Sequence, residues 1–192
     1  MVVNTTMPVT HLHIEASSFC NARCPGCPRN AYGYPLEGFY KQAHLKPEKL
    51  AEILNKFPEV QSILYCGNHG DPMMNPDIVE LCDVGKSIKI ATNGGIGRLE
   101  DYELLAENKA YITFGIDGLE DTNHLYRQGV KWDNLMKRVK TFISAGGQAT
   151  WQFIKFQHNM DQVSQAKSLS EEMGFVHFFE MNVGRNNMPA IQ

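Results

Sequence analysis

The stretch 14-IEASSFCNARCPGCPRN-30 crowds three of the chain's five cysteines into eight residues, Cys20, Cys24 and Cys27. Two prolines and a glycine lie among and beside these cysteines, and such residues interrupt helices and strands. The stretch is therefore predicted to be a loop whose thiols can turn towards one centre. Three thiols gathered in one loop favour a metal or redox site.

The composition narrows the class of protein. The chain has 192 residues, 43% of them hydrophobic, and a formal net charge of −3, which suits a single domain over 1–192. The longest basic cluster, KRVK at 137–140, lies inside a helical pattern, so we expect no nucleic-acid partner. No apolar run is long enough for a membrane span, and the N-terminus lacks a signal-peptide pattern. An odd cysteine count without such a signal argues against a disulfide framework and predicts the cytoplasm.

The number of clustered thiols bears on the kind of metal. A structural zinc site takes four ligands, usually from two paired arms. Here Cys66 and Cys82 form no second CxxC, so His44 would have to complete a Cys3His site. The spacing CxxxCxxC instead suits an iron–sulfur cluster with three irons held by thiolates and the fourth open to a ligand. Zinc and three unrelated thiols remain the alternatives.

Strand and helix patterns alternate about six times along the chain. The strand patterns lie at 8–16, 61–66, 87–95, 110–118, 148–156 and 175–182, and the helix patterns at 45–57, 75–84, 99–109, 132–147 and 159–174. Alternation with short connections predicts a parallel α/β sheet with outer helices. Six units are too few for a closed eight-stranded barrel, which leaves a doubly wound sheet or a partial barrel. Either fold places the active site at the C-terminal ends of the strands.

The helix ends and faces are also predicted. Asn75 is expected to cap the second helix, with Pro76 in its first turn, and Asn159 to cap the last one. Gly146 and Gly174 suit helix C-termini. The first helix is expected to turn one apolar face to the core, made of Leu50, Ile53, Leu54 and Phe57.

Glycine-rich and polar motifs follow the strands in a fixed order. CxxxCxxC is followed by GNHGDP at 67–72, TNGG at 92–95, GIDG at 115–118 and an arginine in YRQG at 126–129. This order resembles the radical S-adenosylmethionine (SAM) superfamily, and within it the branch of molybdenum-cofactor biosynthesis and SPASM/twitch enzymes. The likeness runs from about residue 9 to residue 182, and it implies a partial (β/α)6 barrel of the TIM type.

The resemblance implies a specific chemistry. Cys20, Cys24 and Cys27 would hold a 4Fe–4S cluster, and the amino and carboxylate groups of SAM would chelate the open iron. Cleavage of SAM to methionine and a 5′-deoxyadenosyl radical would then lead to hydrogen abstraction from a peptide or small-molecule substrate. The implied electron donor is a flavodoxin or ferredoxin. A radical activase acting on a partner protein, and a non-catalytic iron–sulfur or zinc module, are the competing functions.

The same resemblance assigns the residues that contact SAM. The loop with Gly67, Gly70 and Asp71 corresponds to the one that receives the methionine ammonium, with backbone carbonyls carrying much of the binding. Thr92 and Asn93 match the turn beside the ribose. Arg127 matches an arginine that pairs with the SAM carboxylate. Asp117 is expected to brace the loop that follows it.

Three features depart from the family pattern, and two of them are single glycines. Gly115 stands where many relatives carry a serine that helps to hold the SAM carboxylate, so Arg127 is expected to do more of that work. Gly26 replaces a bulky residue that packs beside the adenine, so Phe153 or the strand 175–181 is expected to contribute instead. Glu180 is expected to contact nucleoside or substrate, and His69 to face substrate. Cys66 and Cys82 are interpreted as small buried residues.

The length of the chain is the third departure. Only ten residues, 183–192, follow the last strand, too few for an auxiliary-cluster module, so the chain resembles a bare core, natural or truncated. A partial barrel leaves one side open. A large substrate, a second copy of the chain in a homodimer, or the segments 31–45 and 183–192 would have to close it. The cluster loop spans about 17–45, and its aromatic part, 31–46, is predicted to form part of the substrate mouth.

Overall fold

The computed structural model describes residues 7–27, 30–31, 34–35 and 41–182. The closing segment 183–192 therefore lies outside the described residues, as do residues 32–33 and 36–40 of the predicted mouth segment 31–46. The role of both segments stays a prediction.

Six parallel strands form one sheet in the order in which they occur along the chain. They are β1 (His11–Ile14), β2 (Ser62–Tyr65), β3 (Ser87–Thr92), β4 (Tyr111–Gly115), β5 (Gln148–Ile154) and β6 (His177–Met181). Among the described residues β1 and β6 are the two edges of the sheet. The strand order never reverses, so the fold is the predicted partial (β/α)6 barrel rather than a doubly wound sheet.

Helices connect the successive strands. They are α1 (Pro47–Lys56), α2 (Ile78–Cys82), α3 (Leu99–Glu107), α4 (Asn123–Tyr126), α5 (Trp132–Ser144) and α6 (Val163–Glu172), with 3-10 turns at Pro72–Met74 and Met160–Gln162. A two-residue antiparallel pairing joins Asn30–Ala31 to Tyr34–Pro35. Within the described ranges, no helix has the length and apolar character that a membrane crossing requires.

The core lies on one face of the sheet. Along β3 the side chains of Ile88 and Ile90 are buried, whereas those of Ser87 and Lys89 are exposed. The buried set continues through Phe114 and through Trp151, whose Nε1 donates to the carbonyl of Ile116 at 2.9 Å. Burying one such large side chain is worth about 2 to 3 kcal/mol, so this face anchors the helices. On the opposite face Leu64 and Thr113 are half-buried, and Lys89 is exposed.

Some helix ends differ from the prediction. Asn75 precedes α2 by three residues, and its Nδ2 donates to the carbonyls of Ala16 and Leu45 at 2.7 and 2.9 Å. Asn159 accepts from the backbone N–H of Phe156 at 2.7 Å and so closes the turn after β5, rather than capping α6. Both amides satisfy buried backbone groups of loops, which costs less than leaving those groups unpaired.

Of the remaining helix predictions, the C-terminal glycines are confirmed and the apolar face of α1 is confirmed only in part. Gly146 and Gly174 end their helices with φ of 87° and 85°, as expected of C-terminal glycines. On α1 only Leu50 is fully buried, and Phe57 is 39% exposed because the helix ends one residue before it.

Candidate functional site

A cavity of about 410 Å³ opens at the C-terminal ends of the strands. Its wall brings together most of the residues that the sequence singled out: Cys20, Cys24, Cys27, Gly67, Gly70, Asp71, Thr92, Asn93, Gly115 and Arg127. These residues come from five separate segments of the chain, which only the parallel sheet brings to one edge.

The second and third cysteines are brought together by a tight turn. The backbone N–H of Cys27 donates to the carbonyl of Cys24 at 3.2 Å, and Gly26 has a φ of 69°. Proline followed by a glycine with positive φ is typical of a type II turn. A bulky residue at position 26 would be strained in this conformation, which explains the departure from the family pattern.

The cysteine loop is packed between two other loops. The backbone N–H of Asp71 donates to the carbonyl of Phe19 at 2.8 Å, and that of Arg23 donates to the carbonyl of Gln128 at 2.9 Å. A Cβ on Gly70 would overlap the carbonyl oxygen of Ser17. Gly70 therefore serves the close approach of two backbones, and this contact positions the cysteines over the sheet.

The thiol set fits a cluster better than a single ion. Cys20, Cys24 and Cys27 share the cavity, and none of the five cysteines is in a disulfide. Among the described residues no three His, Cys, Asp or Glu side chains converge as they would on one metal ion. A cluster differs because each thiolate binds a different iron, so the sulfurs stand apart around it.

The zinc alternative loses its fourth ligand. The ring of His44 stacks on Phe19 with 4.7 Å between centroids, and His44 is absent from the cavity wall. His44 therefore does not join the three thiols at the cavity wall, where a Cys3His arrangement would need it.

Arg127 is held over the cavity by a buried carboxylate. Its Nε donates to Oδ2 of Asp117 at 2.6 Å, and Asp117 is completely buried. Burial alone would lower the pKa of the Arg127 guanidinium, but the Asp117 carboxylate and the Cys24 thiol raise it, so the group stays charged. Nη1 of Arg127 lies 3.9 Å from Sγ of Cys24, which places a permanent positive charge beside the cysteine turn.

Asp117 also braces the surrounding loops. Its Oδ1 accepts from the backbone N–H of Ile154 at 2.7 Å, and its carbonyl accepts from Nδ2 of Asn159 at 2.9 Å. One carboxylate thus fixes Arg127 and the end of β5 together, in line with the bracing role expected for Asp117.

Asp71 is an internal acceptor. Its carboxylate receives bonds from Oγ1 of Thr92 at 2.8 Å and from the backbone N–H groups of Asn93 and Met73 at 2.8 and 3.0 Å. Burial raises the pKa of Asp71 while these donors lower it. Because its oxygens already have partners, Asp71 ties the GNHGDP loop to the TNGG turn, and the backbone carbonyls of this loop are better placed to accept from an ammonium.

Asn21 was missed by the sequence analysis. Its Oδ1 accepts from Nδ2 of Asn93 at 3.0 Å, and the same Nδ2 lies 3.6 Å from Sγ of Cys20. The pair links the TNGG turn to the first cysteine. The position of Asn21 directly after Cys20 was the one sequence feature that could have indicated this role.

Cys66 was also underestimated. It lies on the cavity wall, and its thiol donates to Oε1 of Glu15 at 3.1 Å. Burial, followed by the hydrogen bond and charge of Glu15, raises the pKa of the Cys66 thiol to about 12. Cys66 is therefore a protonated thiol at the site, whereas Cys82 is a core residue as interpreted.

Three residues that were predicted to contact SAM or substrate lie outside the cavity wall. Phe153 is fully buried on the helix-covered face, where its ring centroid lies 5.9 Å from that of Phe178. It therefore cannot stack on an adenine in the cavity. Glu180 pairs with Lys155 at 3.1 Å and is absent from the cavity wall. His69 is exposed and is likewise not part of the wall. Alternation along the strands turns Ile154 into the cavity, together with Met181 from the strand 175–181 that was the predicted alternative to Phe153.

Comparison with known proteins agrees with this geometry. The family model for the radical SAM superfamily matches residues 14–161. The solved structures that this chain resembles include Streptococcus suis SuiB bound to S-adenosylmethionine, with 20% identity, a TM-score of 0.68 and coverage of 90% of this chain and 39% of that one. Histidine-tagged anSMEcpe with bound AdoMet is 18% identical, with a TM-score of 0.71 and coverage of 95% of this chain and 54% of that one. Methylornithine synthase (PylB) is 13% identical, with a TM-score of 0.65 and coverage of 94% of this chain and 57% of that one. The chain spans less than two thirds of the length of each.

Proposed function

The chain belongs to the radical SAM superfamily, and on that premise we propose that its cavity binds a 4Fe–4S cluster and SAM and initiates radical chemistry on a substrate. The observation that carries the proposal is the meeting of three thiols and one charged arginine at a single cavity. Residues 1–192 would act as one catalytic core in the cytoplasm.

Cys20, Cys24 and Cys27 would be the cluster ligands. When bound, the cluster supplies the electron that cleaves SAM to methionine and a 5′-deoxyadenosyl radical, which abstracts a hydrogen atom from the substrate. Three ligands leave one iron for SAM. The Cys24–Cys27 turn and the contacts of the loop with Asp71 and Gln128 hold the thiols at the cavity before any metal enters.

Arg127 would receive the SAM carboxylate. Its Nε is taken by Asp117, which leaves the two terminal nitrogens directed towards Cys24 and the space above Gly115. A guanidinium can hold a carboxylate through charge-assisted bonds at such a position. Asp117 orients the guanidinium and balances its charge.

The glycine-rich loops would hold the rest of SAM. Exposed backbone at Gly67 and Asn68 lies on the cavity wall and offers carbonyls to the ammonium. Thr92 and Asn93 are 5% exposed each and bond mainly to Asp71 and Asn21. We therefore assign them to shaping the ribose side of the cavity, while Ile154 and Met181 supply apolar surface for the adenine.

The substrate would be a peptide or a small molecule, and the electron would come from a flavodoxin or ferredoxin. SuiB has been solved with the precursor peptide SuiA, and anSMEcpe with the Cp18Cys peptide, which supports a peptide among these options. The open side of the partial barrel gives a large substrate, or a second copy of the chain, access to the cavity.

Anaerobic reconstitution tests the proposal. The protein is loaded with iron and sulfide, mixed with SAM and dithionite, and assayed for 5′-deoxyadenosine by mass spectrometry, with the Cys20→Ala variant as the matched control. We expect 5′-deoxyadenosine from the wild type only. A reconstituted cluster without SAM cleavage would mean a non-catalytic iron–sulfur module, and would overturn the proposal.

A further inference from the structure

The side-chain amide of Asn93 is held in one orientation by its own turn. Its Oδ1 accepts from the backbone N–H of Gly95 at 2.7 Å, and a backbone N–H can only donate. The other end of the amide is therefore the nitrogen, Nδ2, which faces the cysteine loop. The TNGG turn thus fixes which atom Asn93 presents to the cysteines.

The nitrogen of Asn93 has two acceptors in the cysteine loop. Nδ2 donates to Oδ1 of Asn21 at 3.0 Å and lies 3.6 Å from Sγ of Cys20, within hydrogen-bonding reach of a sulfur. An amide nitrogen carries two hydrogens, so it can serve both acceptors at once. Both hydrogens are then committed to the cysteine loop, and Asn93 has none left to donate to a ribose hydroxyl.

The turn leaves room for this pair of amides. A Cβ on Gly95 would stand 2.5 Å from Nδ2 of Asn21 and 2.8 Å from Oδ1 of Asn93, so a side chain at position 95 would force the two amides apart. Nδ2 of Asn21 is buried and has no hydrogen-bond partner among the described residues. The reverse orientation of Asn21 would set this nitrogen against that of Asn93, donor against donor. The orientation of Asn21 is therefore decided by its oxygen, which holds Asn93.

Cys20 also receives a backbone donor. The N–H of Ala22 lies 3.4 Å from Sγ of Cys20, so two N–H groups converge on a sulfur that would be a cluster ligand. Hydrogen bonds to ligand sulfurs are one of the factors that set the potential of an iron–sulfur cluster. They draw electron density from the sulfur and so stabilise the reduced form, which raises the potential.

We propose that Asn93 raises the reduction potential of the cluster through its hydrogen bond to Cys20, and that Asn21 is a positioning residue that holds Asn93 for this role. The inference rests on the proposed function, in which Cys20 is a cluster ligand. One electron passes from the flavodoxin or ferredoxin to the oxidised cluster, and no bond forms or breaks at either asparagine. A less negative potential lets that donor reduce a larger fraction of the protein.

A redox titration without SAM tests the role of Asn93. The full chain is reconstituted anaerobically, and the reduced fraction of the cluster is followed by its EPR signal in the presence of mediator dyes. At a fixed applied potential, Asn93→Ala should shift the ratio of reduced to oxidised cluster about tenfold towards the oxidised form, which is about 59 mV for one electron. Gln152→Ala removes an amide from the same cavity wall but leaves the Asn21–Asn93 pair intact, so it is the matched control and should not shift the ratio.

Asn21→Ala separates positioning from direct action. It should shift the ratio in the same direction by a smaller factor, about two- to fivefold, because Asn93 is still present but is less well held. In the Asn93→Ala background the change at Asn21 should add nothing. Additive shifts in the double variant would mean that Asn21 acts on the cluster by itself, and would overturn its assigned role.

Asn93→Asp keeps the turn and removes only the donor. A carboxylate at position 93 still accepts from the N–H of Gly95, but it has no hydrogen for Cys20. Its potential should be more negative than that of the wild type. In pulsed EPR of the reduced protein, with 15N in the side-chain amides of asparagine, the coupling from Nδ2 of Asn93 should be present in the wild type and absent in Asn93→Asp. Circular dichroism and iron content show that each variant is folded and loaded.

An unchanged potential in Asn93→Ala and Asn93→Asp would overturn the inference. Weaker SAM binding at an unchanged potential would assign Asn93 to the ribose instead, and loss of the cluster from both variants would make Asn93 a structural residue; either result would also overturn it. The titration needs a cluster but no SAM cleavage. Unchanged potentials beside normal 5′-deoxyadenosine formation therefore reject this inference alone, whereas the expected shifts without 5′-deoxyadenosine reject the catalytic part of the proposed function.

Discussion

The guanidinium of Arg127 lies over the α-carbon of Gly115, and a Cβ at position 115 would stand 2.5 Å from its Nη2. The missing side chain is thus what allows Arg127 to reach the cavity. A serine here, as in many relatives, would occupy the same space. The glycine at position 115 is therefore explained by Arg127, whose guanidinium occupies the space that a side chain at position 115 would need.

Gly115→Ala is expected to displace Arg127 and weaken SAM binding. The displacement should also lower the free energy of unfolding by about 1 to 3 kcal/mol, since an extra methyl group overfills the site. Equilibrium dialysis with labelled SAM and urea unfolding measure the two effects. In the Arg127→Ala background the same change should have little effect, and an equal loss in both backgrounds would contradict the pairing.

Arg127→Ala is expected to weaken SAM binding by about 1.5 to 3 kcal/mol, roughly ten- to a hundredfold, because a charge-assisted pair in a semi-buried site is lost. Arg127→Lys should recover little, since an ammonium cannot contact Asp117 and the carboxylate through a planar fork. Isothermal titration of the reconstituted protein measures both. Unchanged affinity in Arg127→Ala would show that another group holds the carboxylate.

Each of Cys20→Ala, Cys24→Ala and Cys27→Ala is expected to lose the cluster, because two remaining thiolates rarely retain it. Cys82→Ala, in the core, and Cys66→Ala, on the cavity wall, should keep the wild-type iron and sulfide content. Colorimetric iron analysis after anaerobic reconstitution checks this. A variant of Cys66 that lost iron while Cys20→Ala kept it would mean that the ligands are misassigned.

Stability should fall at alkaline pH partly through Cys66. Burial and Glu15 raise the pKa of its thiol from 9.0 to about 12, so above pH 9 the unfolded chain releases this proton while the folded chain retains it. The contribution is complete below pH 9 and is lost as the pH rises towards 12. Between pH 7 and 10 the loss is at most about 1.4 kcal/mol, because solvent screening reduces it.

Cys66→Ser is the matched comparison for that titration. A serine can still donate to Glu15 but does not ionise in this range. Urea unfolding of the metal-free, reduced proteins at pH 7 and pH 10 should show a smaller loss for Cys66→Ser than for the wild type. Identical losses would mean that the thiol ionises equally in the folded chain.

Asp71→Asn is expected to lower the free energy of unfolding by about 1 to 3 kcal/mol, because an amide nitrogen would face the N–H donors of Met73 or Asn93. Asp77→Asn, which loses only the exposed pair with Lys46, should cost less than about 1 kcal/mol. Urea unfolding compares the two. If both variants unfold alike, the Asp71 network contributes little to stability.

The order of the elements could be predicted from the sequence because each depends on neighbours in the chain. Alternation along β3 and the apolar face of α5 are local patterns, and so is the Pro25–Gly26 turn between two cysteines. Asn159 is the N-cap residue of the 3-10 turn that leads into α6, but neither its side chain nor that of Asn75 caps the predicted helix, for the opposite reason. Their amides bond to carbonyls in distant segments, such as Ala16 and Asp117, which no local pattern announces.

The face of a strand was harder to assign. β5 carries apolar side chains at Trp151, Phe153 and Ile154, so its sequence alone allows Phe153 to face the cavity. Packing of the helices buries Trp151 and Phe153 and turns Ile154 towards the site. An aromatic ring could have stacked on the adenine, which made Phe153 the obvious candidate. The larger apolar area that is buried when Trp151 and Phe153 face the helices decided the orientation of the strand.

By itself the sequence determined the fold class, the family and the set of thiols, since periodicity and cysteine spacing are properties of short segments. Tertiary structure alone decided which polar groups are already engaged. The carboxylate of Asp71 accepts from Thr92, Asp117 orients Arg127, and burial together with Glu15 raises the pKa of the Cys66 thiol. These partners lie 10 to 51 residues apart in the chain, so only the parallel sheet, which brings the strand ends to one edge, makes them meet.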